Sequence, residues 1–198
     1  MSSLPKARFT PEQYLERERK AENKSEYWNG EIVAMAGASL SHNCITLNIG
    51  RKLGSQLDGS QGEPFVHDLR VRVSPTKYLY PDVTVACGDP VFEDAELDTL
   101  LTPQVVIEVL SSSTVNDDRG IKFAFYRQME TLMDYVMVSQ EEPLVEHYAR
   151  QDNNHWLLAV LRGLDALLRL PSVGCELPLS EVYACVVFPR AAEAAESD

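Results

Sequence analysis

Six consecutive residues, Val105-Val106-Ile107-Glu108-Val109-Leu110, constrain the fold of this chain more than any other stretch. They are apolar and mostly β-branched apart from one acid, so the run predicts a strand at the centre of a sheet, covered on both faces. Side chains alternate along a strand, which puts Val106, Glu108 and Leu110 on one face. A carboxylate in that setting costs several kcal/mol unless it is paired or ligates a metal.

A second acid poses the same question. Tyr80-Pro81-Asp82-Val83-Thr84-Val85 starts another strand, predicted over Asp82 to Cys87, with Asp82 at its first position. If the two strands are neighbours, Asp82 and Glu108 converge. Two carboxylates and water form a hard oxygen site suited to Mg²⁺ or Mn²⁺. Such an ion acidifies bound water and polarises a phosphoryl oxygen. Lys122, in a helix that follows a serine-rich loop, is the candidate cation for orienting the attacking water or the phosphate. In the competing reading, Asp82 caps the turn after Pro81 and Glu108 makes an internal salt bridge.

Around this stretch the pattern predicts a mixed chain. Residues 1–8 read as a disordered N-terminus. Thr10-Pro11-Glu12-Gln13 is a capping box with proline at the first helical position, and Phe9 and Tyr14 are placed for a staple across it. The charged segment to Lys24 reads as a surface helix, Ser25 to Gly30 as its end and a turn through Asn29-Gly30, and 31–37 as a strand. His42 to Leu57 reads as a helix with Ile45, Ile49, Leu53 and Leu57 on its apolar face. Leu69, Val71 and Val73 alternate with Arg70, Arg72 and Ser74, one face buried and one polar. Pro75 and Pro81 bracket a short turn, and 88–103 reads as an acidic loop.

Beyond the serine-rich loop a helix is predicted through Met129, with Ile121, Phe125 and Met129 buried and Lys122 and Tyr126 on another face. Three strands over 133–139, 144–151 and 155–162 then suggest an antiparallel meander. The result is an α/β (α+β) chain built around one central sheet, with 9–190 as a single domain and 191–198 as an acidic tail.

Composition narrows the function classes. A net charge of −12 opposes non-specific nucleic-acid binding, where phosphate neutralisation supplies most of the affinity. Cys44, Cys87, Cys175 and Cys185 show no C-x-x-C spacing, and their apolar neighbours predict buried thiols for Cys44, Cys87 and Cys185. The four histidines lack zinc spacing. Neither a signal peptide nor an apolar run long enough to span a membrane is present, so a cytoplasmic location with no membrane partner is expected.

The order of elements resembles the restriction-endonuclease-like family of bacterial endonucleases within the PD-(D/E)xK nuclease superfamily. The resemblance is carried by Ser25-Glu26-Tyr27-Trp28-Asn29-Gly30-Glu31-Ile32, the His42 helix, Tyr80-Pro81-Asp82-Val83, Val106-Ile107-Glu108-Val109-Leu110-Ser111, Asp118, Lys122, Tyr126 and Asp134-Tyr135-Val136-Met137-Val138. It implies a central mixed β-sheet flanked by helices, with the meander added, and divalent-metal-dependent phosphodiester cleavage. It assigns metal binding to Asp82 and Glu108 and offers Glu31 as a further acid. The superfamily pattern places a lysine two residues after the second acid; here that residue is Leu110, and Lys122 is the match for a lysine supplied by the next helix. The loop that usually reads Ser-Pro-Ser-Thr is Ser111-Ser112-Ser113-Thr114.

The expectation is therefore a Mg²⁺- or Mn²⁺-dependent DNA endonuclease, homodimeric because cutting two strands favours two-fold assemblies. Asp82, Glu108 and Lys122 form the catalytic set and Glu31 and His42 are auxiliary. Arg70 and Arg72 are candidate phosphate contacts, with a solvated strand face as the plainer alternative. The acidic charge and Leu110 motivate a second reading, a non-catalytic homodimeric scaffold or regulatory binding module that keeps the fold.

Overall fold

In the computed structural model, which describes residues 7–35, 37–110 and 117–188, the chain enters through helix α1 (Pro11–Glu18). The expected capping box is formed: the Gln13 N–H donates to Thr10 Oγ1 at 3.3 Å and the Thr10 N–H to Gln13 Oε1 at 2.9 Å. The helix stops at Glu18 rather than continuing to Lys24. Glu18 is buried and accepts from the Ser25 N–H at 2.8 Å and the Ser25 hydroxyl at 2.5 Å, so the helix end is tied to the next strand. The strand β1 (Ser25–Trp28) pairs antiparallel with β2 (Glu31–Ala34). Asn29 and Gly30 turn between them at φ of 52° and 98°, the left-handed pair that an Asn-Gly hairpin requires.

Helix α2 (Leu40–Leu57) follows, then β3 (Gly62–Val66), β4 (Arg70–Ser74), β5 (Lys77–Leu79), β6 (Val83–Cys87), β7 (Thr99–Leu100) and β8 (Val105–Leu110). After the π-helical turn Asp117–Lys122 come α3 (Phe123–Tyr126), β9 (Asp134–Ser139), β10 (Leu144–Arg150), β11 (Trp156–Arg162), β12 (Leu167–Leu170), β13 (Cys175–Pro178) and α4 (Leu179–Val182). The expectations for 1–6, the loop 111–114 and the tail 191–198 lie outside the described residues. Among those described, no helix is long and apolar enough to cross a membrane.

The strands form two larger sheets rather than one. A six-stranded mixed sheet runs β11-β10-β9-β8-β6-β3, with β8 and β9 parallel and β9 to β11 as the expected meander. A five-stranded sheet runs β2-β1-β5-β4-β7, and β12 and β13 form a hairpin of their own. The second sheet arises from short strands, at 25–28 and 77–79, in stretches that read from sequence as turns.

Three apolar clusters hold these layers together. Tyr14 and Leu15 of α1 pack on Tyr27 and Tyr78 of the five-stranded sheet. Val71, Leu79 and Leu100 of that sheet pack against Val106, Leu110, Tyr135 and Met137 of the six-stranded one. Its other face, through Val105, Ile107 and Val109, meets Ile45, Ile49, Leu53 and Leu57 of α2. Each fully buried aliphatic side chain of this kind contributes about 1.5–3 kcal/mol. Every residue of β8 is buried, as a strand between two cores must be.

Local expectations change in three places. Arg70 is buried, because its strand face meets other elements rather than water; its guanidinium reaches Asp98, Thr99 Oγ1 at 3.1 Å and the Tyr80 hydroxyl at 2.9 Å. Cys185 is exposed in the turn after α4, Cys44 and Cys87 are half-buried and Cys175 is buried, all four as thiols. Ile121 is exposed and Lys122 and Tyr126 turn inward, while Met129 is buried as expected. The π-helical turn ends at Lys122, and Lys122, Tyr126 and Met129 follow at the ordinary helical spacing that puts them on one face.

Candidate active site

Where the two sheets come together, a cleft of about 1070 Å³ opens, lined by Glu26, Asp82, Glu108 and Lys122 with Trp28 and Tyr80 among its walls. Each acid arrives from a different strand region. Val83 faces Ile107 in the antiparallel register of β6 and β8, so Asp82, one residue earlier, lies beside Glu108, one residue later. The convergence conditional on neighbouring strands is therefore met.

Asp82 is held from two sides. Its Oδ2 accepts the Val109 N–H at 2.7 Å, and its Oδ1 lies 2.8 Å from His42 Nε2. His42 stands in the first turn of α2, where Ser39 caps the helix by accepting the His42 N–H at 3.0 Å. Each carboxylate oxygen retains a further lone pair for another partner.

Lys122 faces the acids. Its Nζ is 3.0 Å from Glu26 Oε1 and 3.6 Å from Glu108 Oε1, and all three side chains are almost wholly buried. Glu26 is further fixed by Trp28 Nε1, 3.2 Å from its Oε2, and by the Tyr80 N–H, 3.3 Å from its Oε1. Lys122 shares this inward helix face with Tyr126, four residues on, and Met129. Leu110, by contrast, lies in the core between the sheets.

Glu26 is the residue the sequence reading missed. The hairpin register pairs Glu26 with Val33 and Trp28 with Glu31, so all four share one sheet face. Glu26, Trp28 and Val33 line the cleft, and Glu31, although paired with Trp28, does not. The signal was present in Glu26-Tyr27-Trp28, an alternation between a buried aromatic and two residues of the opposite face. Arg70 and Arg72 also stand away from the cleft, Arg72 held by Glu93 at 3.0 Å.

At the rim, Lys24 pairs with Asp68 and lies over the Tyr80 ring, 5.6 Å from its centroid. Burial holds the Lys24 ammonium below the ordinary lysine range. Burial also pushes the Tyr80 phenol well above its usual range; the phenol donates to Glu18 at 3.2 Å and accepts from Arg70.

The donor chemistry fits a hard divalent ion. Asp82 and Glu108 offer only oxygen, and Asp82, Glu108, Glu26 and Lys122 together carry a formal charge of −2. Among the described residues, no group of three or more His, Cys, Asp or Glu side chains is arranged to enclose a metal. An ion that keeps several of its waters and uses only one or two carboxylates, as Mg²⁺ does, matches that set better than zinc.

The chain is similar to several known proteins. Residues 11–180 match the model of the Uma2 family, described as "Putative restriction endonuclease". An uncharacterized Synechocystis protein, sll1609, is 39% identical over 159 residues, 80% of this chain and 90% of that protein. A second, slr1290, is 35% identical over 188 residues, 94% of this chain and 97% of its own length. Among solved structures, a "putative nuclease belonging to DUF820" from Anabaena variabilis shares the fold with a TM-score of 0.76 at 18% identity, over 90% of this chain and 99% of that one.

Proposed function

The chain belongs to the Uma2 family, and from that premise we propose that it is a divalent-metal-dependent endonuclease that hydrolyses phosphodiester bonds in DNA. The observation that carries this reading is the meeting of the Lys122 amine with Glu26 and Glu108, beside Asp82, in one cleft.

In this reading Asp82 and Glu108 hold Mg²⁺ or Mn²⁺. A bound ion of this kind supplies an acidified water and charge neutralisation at the phosphate. His42 and the Val109 N–H keep the Asp82 carboxylate aimed, removing rotamer freedom that binding would otherwise have to remove. Lys122 keeps a positive charge beside the acids, where it offsets the charge of an entering phosphate and donates to its oxygen or to the attacking water. Glu26 orients that amine, and Trp28 and Tyr80 give the cleft apolar walls against which a sugar or base can rest.

The test is cleavage of supercoiled plasmid and of single-stranded DNA with Mg²⁺ or Mn²⁺, in the wild type and in Asp82→Asn, Glu108→Gln and Lys122→Met. Cleavage that needs the ion and is lost in all three variants supports the reading. Absence of cleavage, together with absence of Mg²⁺ or Mn²⁺ binding by calorimetry, overturns it and leaves the scaffold reading that the −12 charge favours.

A further inference from the structure

We infer that β11 is the self-association surface of this protein, and that two copies join antiparallel along it about a two-fold axis at Ala159. The inference is independent of the metal reading, because β11 lies three strands away from β8.

β11 is an outer strand of the six-stranded sheet, and among the described residues no strand pairs with its far side. Seven residues long, it reads Trp156-Leu157-Leu158-Ala159-Val160-Leu161-Arg162, with one charge and that at its end. Leu157, Leu158 and Val160 are 59%, 45% and 48% exposed. Leu158 and Val160 lie on one sheet face and Leu157 on the other, so the strand is apolar on both sides. Natural edge strands avoid this pattern with charge, proline, bulges or brevity. The opposite edge of the same sheet does so: β3 carries Glu63 and, mid-strand, Pro64.

The backbone decides which partner fits. The Gln151 N–H donates to His155 O and the Gly163 N–H to Pro143 O, so the odd residues at both ends of β11 bond inward to the β10 side. In an antiparallel ladder these directions alternate, and the N–H and C=O of Trp156, Leu158, Val160 and Arg162 therefore point outward. A second β11 placed antiparallel about Ala159 sets Leu158 against Val160 and Trp156 against Arg162 of the other copy. Each of these becomes a hydrogen-bonded pair. Ala159 faces itself at a non-hydrogen-bonded position, where Cα atoms approach to about 4.5 Å, and a methyl group suits that closeness. Leu157 then meets Leu161, and nowhere along the strand do like charges face each other. A strand complementary to its own reverse is what an isologous contact requires, and because β11 carries a single charge, at its end, a second copy meets it with no like charges opposed.

The experiment is sedimentation and light scattering of the full chain under reducing conditions, which exclude disulfides through the exposed Cys185. Amide exchange is read on the same samples. The wild type is expected to be a dimer with slow exchange at the outward amides of Leu158 and Val160. Val160→Lys is expected to be monomeric with native circular dichroism, and Leu158→Pro, which removes an outward donor only, is expected to lose the dimer as well. Leu40→Lys, at a residue 81% exposed elsewhere, should stay dimeric. A monomeric wild type, folded variants that remain dimeric, or a dimer with fast exchange at Leu158 and Val160 would each overturn the proposal.

Discussion

Lys122 Nζ lies 3.6 Å from Glu108 Oε1, although the two side chains come from different elements, a strand and the π-helical turn after it. The amine thus reaches the second acid without sitting two residues after it, where Leu110 occupies the core. Both groups are also within the reach of Glu26, and the three form one electrostatic unit.

Removing the cation from that unit leaves two buried carboxylates against each other. Lys122→Met should therefore destabilise the protein by about 3–5 kcal/mol in urea denaturation without added metal. Glu26→Gln in the same background should recover part of the loss, giving a coupling of about 0.5–3 kcal/mol in a double-mutant cycle. Additive losses would separate Glu26 from Lys122.

Metal linkage gives a second expectation. A ligand that binds only the native state at a hundred times its Kd stabilises by about 2.7 kcal/mol. Mn²⁺ or Mg²⁺ should raise the melting temperature of the wild type and leave Asp82→Asn and Glu108→Gln unmoved. Ca²⁺ can be compared as an oxygen-seeking ion of larger radius.

His42 touches Asp82, so its role should be felt through that carboxylate. His42→Ala should weaken Mn²⁺ binding by about 10–100-fold, as loss of a supporting partner does, while the apo protein melts close to the wild type. His42→Asn, able to donate to Asp82, should recover part of the affinity. Equal loss in both variants would deny the hydrogen bond a role.

Acid sensitivity should centre on Asp98. Hydrogen bonds from Arg19 at 2.8 and 3.0 Å, opposed by burial and joined by Arg70, hold its carboxyl well below the ordinary aspartate range. A depressed carboxyl contributes stability that is fully present above its unfolded value, about pH 4, and is lost as pH falls from there through the folded value. Asp98→Asn should therefore lower stability at neutral pH and flatten its decline in acid, measured as urea midpoints from pH 6 to pH 2.

Much of this architecture was legible in residue patterns. The run 105–110 announces a doubly covered strand, the apolar stripe of α2 repeats at helical spacing, and Thr10-Pro11 and Asn29-Gly30 mark a cap and a turn through local chemistry alone. Glu26 was passed over because β1 is only four residues long, so the brief alternation of Glu26-Tyr27-Trp28 is outweighed by the turn signal of Asn29-Gly30 that follows it. Which face of this helix turns inward was ambiguous for another reason: 121, 125 and 129 and 122, 126 and 129 both fit helical spacing, and only the burial of Tyr126 and Lys122 decides between them. Arg70 looked solvated because alternation tells which residues share a face, not what that face meets. Here it meets Tyr80, Thr99 and Asp98.

The short link Tyr80-Pro81-Asp82 joins β5 of one sheet to β6 of the other, while Glu26 belongs to the first sheet and Glu108 to the second. The spacing of the acids is thus a gauge of how the two sheets are docked. Repacking Val71 or Leu100, which lie in the core between the sheets, would be transmitted to the cleft as a change in carboxylate separation. Under the proposed function, cleavage rate in such variants would report inter-sheet alignment, much as a caliper reads the gap between its jaws.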